Sequence, residues 1–436
     1  MSDDKGAFMN ELPPSLWART AIAGPDCPPL AGHEAADVVI VGAGYTGCSA
    51  ALHLAREGKE VRVLDTAEPG WGCSGRNGGQ VNPGGQRATP EEVIDVLGDD
   101  WGNRFNQMGH ATCDLVFDLI KAYDIECEAV RPGYIQGGWN QQGLKYQQEW
   151  ADQWRARGVE IELLNGQQMM DLIGSEHYSH GMYDSRGGNV QPMSYARGLA
   201  HAAIVEGAVI HGRSPAIGIE KDGSDWVVVV EGARSIKAKY LIIATNGYTG
   251  DLWSGLKQTV VPVSSFVAAT QPLGHNLLAT ILPGKHAVSE SGRVIVYYRL
   301  DQKGRLIIGG HGNFLNINQI GDNTHVREIA TRLFPALSDV KWDYHWGGWP
   351  AITKTHLPML VGLAPNAFSG LGYNGRGVAM GTMMGKQLSK AILDDSADLR
   401  VQSLDKFTFH GMRQLGITYR LVVGSWLDGR PPAKSA

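Results

Sequence analysis

Residues 37–65 read DVVIVGAGYTGCSAALHLAREGKEVRVLD, and this stretch decides the fold. Its opening run, 37–41, is β-branched and unbroken, as expected of a strand buried on both faces of a parallel sheet. Residues 45–57 have helical composition, Gly58 follows at the position that favours a left-handed residue, and 61–64 is a second apolar strand. Together they make one strand–helix–strand unit. Between its first strand and helix lies Gly42-Ala43-Gly44-Tyr45-Thr46-Gly47, a GxGxxG. Gly42 permits the tight turn, Gly44 lets the backbone approach a pyrophosphate, and Gly47 lets helix and strand pack closely. The helix start, with Tyr45 and Thr46, offers unpaired N–H groups and a positive dipole end to the phosphates. Asp65 ends the second strand, where a carboxylate can accept both ribose hydroxyls and repels a 2′-phosphate. A dinucleotide is expected here, and NADP is disfavoured.

Both FAD and NAD use this turn, so the choice comes from three further stretches. Residues 70–80, GWGCSGRNGGQ, form a glycine-rich loop containing Ser74, Gly75, Arg76, Asn77, Gly78 and Gly79, where a long flavin nucleotide would continue. Residues 240–247, YLIIATNG, have the form of a strand and turn, with Thr245 and Gly247, that closes over the nucleotide in two-dinucleotide-binding-fold flavoproteins. Residues 370–386, GLGYNGRGVAMGTMMGK, place Gly372, Tyr373, Asn374, Gly375, Arg376 and Gly377 before a helix of small residues. Such a helix can aim its positive end at the flavin edge that gains negative charge on reduction.

Composition agrees. The chain has 436 residues, and its 57 glycines are roughly twice the usual share of ~7%. With 43% hydrophobic and 19% charged residues it can bury a large interior, and its length suggests two to three domains. A net charge of −5 without like-charge runs leaves no footprint for nucleic acid. Apolar runs fall far short of the ~20 residues that span a bilayer, and the acidic N-terminus lacks a secretory apolar core. Five cysteines, Cys27, Cys48, Cys73, Cys113 and Cys127, include no CxxC pair. Reduced thiols, a cytoplasmic setting and no metal site are the expectation. Further along, 91–124 reads as helical, 150–157 as a helix, 159–164 as a strand and 193–206 as a helix. A strand at 208–211 leads into a meander of 216–221, 226–231 and 235–237, with 240–244 as a separate buried strand. An alternating antiparallel region covers 260–310, and a last helix spans about 376–393.

The same residues resemble the D-amino-acid oxidase superfamily of FAD-dependent amine and amino-acid oxidases over about 15–425, and most of all its gamma-glutamylputrescine oxidase group. The carriers are 37–65, SGRNGG at 74–79, YYR at 297–299, residues 306–310 and GYNGRGV at 372–378. The resemblance implies an α/β fold with a discontinuous, Rossmann-like FAD-binding domain (37–90, 150–254 and 345–396). A substrate domain with a mainly antiparallel sheet (91–149 and 255–344) would cover the flavin, between an irregular surface arm, 1–36, and a tail, 397–436. By position, Gly42, Gly44 and Gly47 match the pyrophosphate turn, and Asp65 matches the ribose acid. The loop 74–78 matches the segment beside flavin and ribityl chain, Ala216 the residue whose backbone reads adenine, and Gly375, Arg376 and Gly377 the helix start. Two departures matter. Glycine and sarcosine oxidases carry a substrate-binding Arg or a flavin-linking Cys where this chain has Pro350, and no Cys follows Cys127, so non-covalent FAD and no α-carboxylate clamp are expected. The Lys of some members corresponds to Ala379, which leaves Arg376 to stabilise charge.

The reaction this implies is hydride transfer from an amine-bearing carbon to flavin N5, imine hydrolysis, and reoxidation by O2 to give H2O2. The expected substrate is a small-molecule primary amine, such as gamma-glutamylputrescine or a related polyamine derivative. The alternatives are an amino or imino acid of the pipecolate kind, and a non-catalytic flavin subunit. Arg376 is the candidate for electrostatic stabilisation. Arg299 is a candidate substrate anchor, or else a strand arginine pairing with an acid such as Asp343. Tyr297 is the tyrosine expected to face the cavity. Trp349 is a candidate for an aromatic cage around an ammonium group, while Trp342, Tyr344 and Trp346 read as core. Lys354 could act on O2 or a carboxylate, or be solvated.

Overall fold

The computed structural model describes residues 12–84, 88–292, 294–311, 324–414, 416, 417 and 419. Residues 1–11 of the arm, 312–323 of the proposed substrate domain and the tail beyond 419 lie outside the described residues. Two sheets organise the molecule. The first is parallel at its centre, with His33–Val41 between Arg234–Ile243 and Val61–Leu64, Val209–His211 beyond the latter, and Ala367–Leu371 beside Arg234–Ile243. Val38, Val39 and Ile40 are fully buried, as the unbroken apolar run requires. Helices Tyr45–Arg56, Pro192–Val205 and Gly377–Leu393 pack together beside it. Close approach of the first and last depends on Gly385, where a Cβ would run into Ser49 and Ala50, and Ser49 Oγ donates to the Thr382 carbonyl at 2.7 Å.

The second sheet runs in the order Trp342–Gly348, Ser265–Thr270, Leu306–His311, Tyr297–Leu300, Ala287–Glu290, Tyr134–Gly138, His180–Asp184 and Glu162–Asn165. Every pairing is antiparallel except Tyr134–Gly138 with Ala287–Glu290. Its own apolar core includes Ile135, Val288, Tyr298 and Ile308. The predicted α/β class with a mainly antiparallel second sheet is what the chain forms.

Several expectations change. The arm is not merely an irregular surface segment: Ser15 caps a short helix, Leu16–Thr20, which buries Leu16 and Trp17. Trp17 Nε1 donates to the Asn77 carbonyl at 2.8 Å, so the arm reaches the glycine-rich loop. The first strand begins at His33 rather than at 37. The third meander strand and the nucleotide-closing strand are one strand, Arg234–Ile243, and the helix expected from 150 begins at Gln141. Glu162–Asn165 and His180–Asp184, within 150–254, and Trp342–Gly348, which overlaps 345–396, pair in the second sheet. Sheet membership depends on partners distant in sequence, which local alternation does not encode.

Candidate cofactor and substrate site

The nucleotide turn is held by its own backbone. Gly42 has φ of 109°, and its N–H bonds to the Leu64 carbonyl at 2.8 Å. A Cβ on Gly47 would run into the Gly42 carbonyl oxygen, so the helix can start so near the strand only with glycine there. Asp65 accepts from Ala43 N at 2.7 Å and Ala67 N at 2.9 Å. Burial pushes its carboxyl upward and these two N–H groups oppose that. Ser74 Oγ accepts from Tyr45 N at 3.0 Å, which ties the glycine-rich loop to the helix start.

Within that loop Asn77 acts as a bracket. Its amide nitrogen donates to the Cys73 and Ser74 carbonyls, and its oxygen accepts from Gly79 N at 2.8 Å. Arg76 donates to the Trp71 carbonyl at 2.8 Å and lies 4.4 Å from the Trp71 ring centre. At the far turn, Asn246 Oδ1 accepts from Gly372 N at 2.9 Å, and Asn374 Oδ1 accepts from Thr353 N at 3.0 Å. Gly375 has φ of 89°, with open space where a Cβ would stand.

These segments converge on a cavity of about 340 Å³ between the two sheets. Of the residues expected at a cofactor, Gly42, Gly44, Tyr45, Thr46, Asp65, Ser74, Arg76, Asn77, Gly78, Ala216, Thr245, Gly247, Tyr373, Asn374, Gly375, Arg376 and Gly377 border it. Gly47, Gly75, Gly79 and Gly372 stand behind that wall, where they permit the turns. A dinucleotide fits this surface. It is glycine-rich where phosphates would lie, it faces a helix start, and Asn82 Oδ1 on its wall has no hydrogen-bond partner among the described residues.

The other candidates divide. Arg376 borders the cavity, donates to the Pro83 carbonyl and stands 5.8 Å from the Tyr134 ring centre. Tyr297 also borders it, with its hydroxyl 3.2 Å from Ser265 Oγ, and burial pushes its phenol up to about 12. Tyr298 points away and donates to Tyr178 Oη at 3.0 Å. Arg299 does not border the cavity. It is buried and donates to the Gly78 carbonyl at 2.6 Å and the Val190 carbonyl at 2.7 Å, so neither the anchor nor the Asp343 pairing describes it. Burial lowers its pKa to about 10, which leaves it charged at neutral pH. Lys354 is turned away to pair with Asp405. Trp349 lies outside the wall at 36% exposure, its ring 5.6 Å from that of Tyr248, which does border the cavity. Trp346 is core, with Nε1 donating to the Arg76 carbonyl at 2.8 Å, and Tyr344 packs on the same cluster. Trp342 packs instead on the second-sheet core.

Sequence reasoning missed Tyr134, Ser289, Ser265, Tyr248 and Asn82, all on the wall. The last follows the glycine-rich loop closely enough to have been suspected. Tyr248 likewise sits directly after the 240–247 stretch, in the turn Asn246–Tyr248, whereas Tyr134, Ser265 and Ser289 are brought there by strand pairing. Among the described residues no metal-ligand cluster occurs and no helix is long and apolar enough to cross a membrane.

A family model described as DAO, FAD dependent oxidoreductase, matches residues 37–391. The chain belongs to this DAO family. It is therefore an FAD-dependent oxidoreductase. Among DAO-family relatives, "Probable oxidoreductase OrdL" of Rhizobium meliloti (strain 1021) is 33% identical over 388 residues, 88% of this chain and 89% of that one. Gamma-glutamylputrescine oxidoreductase of Escherichia coli (strain K12) is 30% identical over 390 residues, 88% of this chain and 90% of that one. The crystal structure of glycine oxidase from Geobacillus kaustophilus shares the fold at a TM-score of 0.72, covering 86% of this chain and 99% of that one at 20% identity.

Proposed function

We propose that this DAO-family enzyme is an amine oxidase that holds FAD non-covalently and acts on a primary amine at the end of an extended substrate, of the gamma-glutamylputrescine kind. The observation that carries the substrate class is Pro350 on the cavity wall, where the resemblance places the clamping arginine of glycine oxidases. Among the described residues the cations of the wall are Arg76 and Arg376, and each is held by a backbone carbonyl. Arg299 and Lys354, the clamps an amino- or imino-acid substrate would need, are committed elsewhere. The flavin, when bound, supplies the hydride acceptor and passes the electrons to O2. Asp65 and the 42–47 turn would hold the ribose and pyrophosphate, and the Gly375–Gly377 turn would bring backbone N–H groups and the Arg376 charge to the flavin edge.

The test is an anaerobic panel on the yellow holoenzyme, read by bleaching of the visible flavin band. Primary amines such as gamma-glutamylputrescine are expected to bleach it, with peroxide formed once O2 is admitted. Bleaching by pipecolate or α-amino acids alone would overturn the reading. Acid precipitation is expected to release all FAD into the supernatant.

A further inference from the structure

The cavity wall contributed by the second sheet carries a hydroxyl pair that the reading above does not use. Tyr134 and Ser289 sit on the two strands that pair in parallel, with Ala287 opposite Tyr134 and Ser289 two residues on, so both side chains stand on one face. Their oxygens are 2.5 Å apart, both residues are buried, and both border the cavity. A hydroxyl has one proton and two lone pairs. Linked to each other, the two oxygens use one proton and leave one O–H together with lone pairs for a third group.

A neutral primary amine has the complementary set: one lone pair to accept and two N–H groups to donate. An ammonium has donors alone, so it would leave the pair's remaining O–H without an acceptor, and its charge is best met by a carboxylate. Among the described residues Asp65 is the one carboxylate on the wall, and it is bound to Ala43 and Ala67 at the nucleotide turn. The Arg376 guanidinium stands 5.8 Å from the Tyr134 ring centre, a charge that disfavours a second cation beside it. The geometry points to the Tyr134–Ser289 hydroxyl pair as the binding site of the substrate's amine nitrogen, taken in its neutral form. This assignment rests on the amine reading and names the residues that would orient the amine-bearing carbon.

The test uses oxidised holoenzyme and N-(4-amino-4-methylpentyl)acetamide, an extended amine with no hydrogen on its amine-bearing carbon. It can bind without reacting, and perturbation of the flavin absorption band reads its dissociation constant. Tyr134→Phe and Ser289→Ala are each expected to raise that constant about 10-fold, the loss of roughly one hydrogen bond, with FAD content unchanged. Ser289→Thr keeps a hydroxyl and is expected to stay within about 3-fold of wild type. Binding by both deletion variants within about 2-fold of wild type overturns the assignment, as does wild-type enzyme that does not bind the probe. If Tyr134→Phe fails to fold, the two Ser289 variants decide. The amine panel separates the two levels: if no amine bleaches the wild type, the functional reading falls, whereas wild-type bleaching with unaltered variants removes this assignment alone.

Discussion

At the scale of single residues, Arg299 is a buried charge that lies off the cavity wall and is held by backbone carbonyls. Its guanidinium spans from the second sheet to the Gly78 carbonyl of the glycine-rich loop and to the Val190 carbonyl. Replacing it with Met keeps bulk but strips donors from buried carbonyls, and such losses cost roughly 2–4 kcal/mol. Arg299→Met is therefore expected to lower the melting temperature by several degrees, while the amine KM of the flavin-loaded fraction changes less than about 2-fold. A large rise in KM with unchanged melting would restore the anchor role. Lys354 makes the opposite case. It is partly exposed and pairs with Asp405 at the surface, so Lys354→Ala is expected to change stability by less than ~1 kcal/mol and to leave kcat/KM unaltered. Steady-state kinetics and a thermal melt settle both. The sequence left Lys354 open as a solvated lysine, but neither its partner Asp405 nor the role of Arg299 was legible, because YYR and ITKTH say nothing about which carbonyls or acids the fold brings alongside.

At the scale of elements, the strand–helix–strand unit was legible almost to the residue except where its first strand begins, at His33, since its glycine spacing and buried runs are local properties. The eight-stranded sheet was legible only in its antiparallel stretch over 260–310, because one of its pairings, Tyr134–Gly138 beside Ala287–Glu290, joins stretches more than a hundred residues apart. The wall residues on those strands were hidden for the same reason. The helix of that unit, Tyr45–Arg56, also carries a testable acid sensitivity. His53 Nδ1 donates to the Ser49 carbonyl at 2.7 Å, and burial lowers its pKa from 6.5 to about 4, with Lys386 and Arg56 adding to the effect. The unfolded chain binds the proton more readily than the folded one between these values. His53 therefore adds stability that is full above about pH 6.5 and lost as pH falls towards 4, with a ceiling of about 3 kcal/mol. Denaturant midpoints measured from pH 7 to 4.5 are expected to fall less steeply in His53→Gln than in wild type. Parallel slopes would show that this histidine does not report the helix packing.

At the scale of the whole molecule, the cavity exists because two independent sheets are fastened across it, and the fastening converges on one short segment. Trp17 donates to the Asn77 carbonyl, lies 5.0 Å from the Arg299 guanidinium and packs edge-on against Trp346 at 5.6 Å. Trp346 in turn donates to the Arg76 carbonyl, and Gln80 donates to the Val288 and Tyr298 carbonyls of the second sheet. The arm, the glycine-rich loop and both sheets thus share one cluster, so flavin affinity and global stability should be coupled there. Trp17→Ala removes a fully buried indole, a change that costs roughly 3–5 kcal/mol in a core, and it frees the loop that Asn77 brackets. The variant is expected to melt lower and to bind FAD more weakly, with saturating FAD recovering part of the melting temperature, by about 2.7 kcal/mol at a hundredfold excess over Kd. Because Trp17 and Arg299 touch, the double variant Trp17→Ala/Arg299→Met should lose less than the sum of the two single losses, by a coupling on the order of 1 kcal/mol. Urea unfolding of the four proteins, each with and without added FAD, measures both quantities. Strict additivity together with unchanged FAD affinity in Trp17→Ala would mean that the arm merely covers the sheet and has no part in shaping the flavin loop.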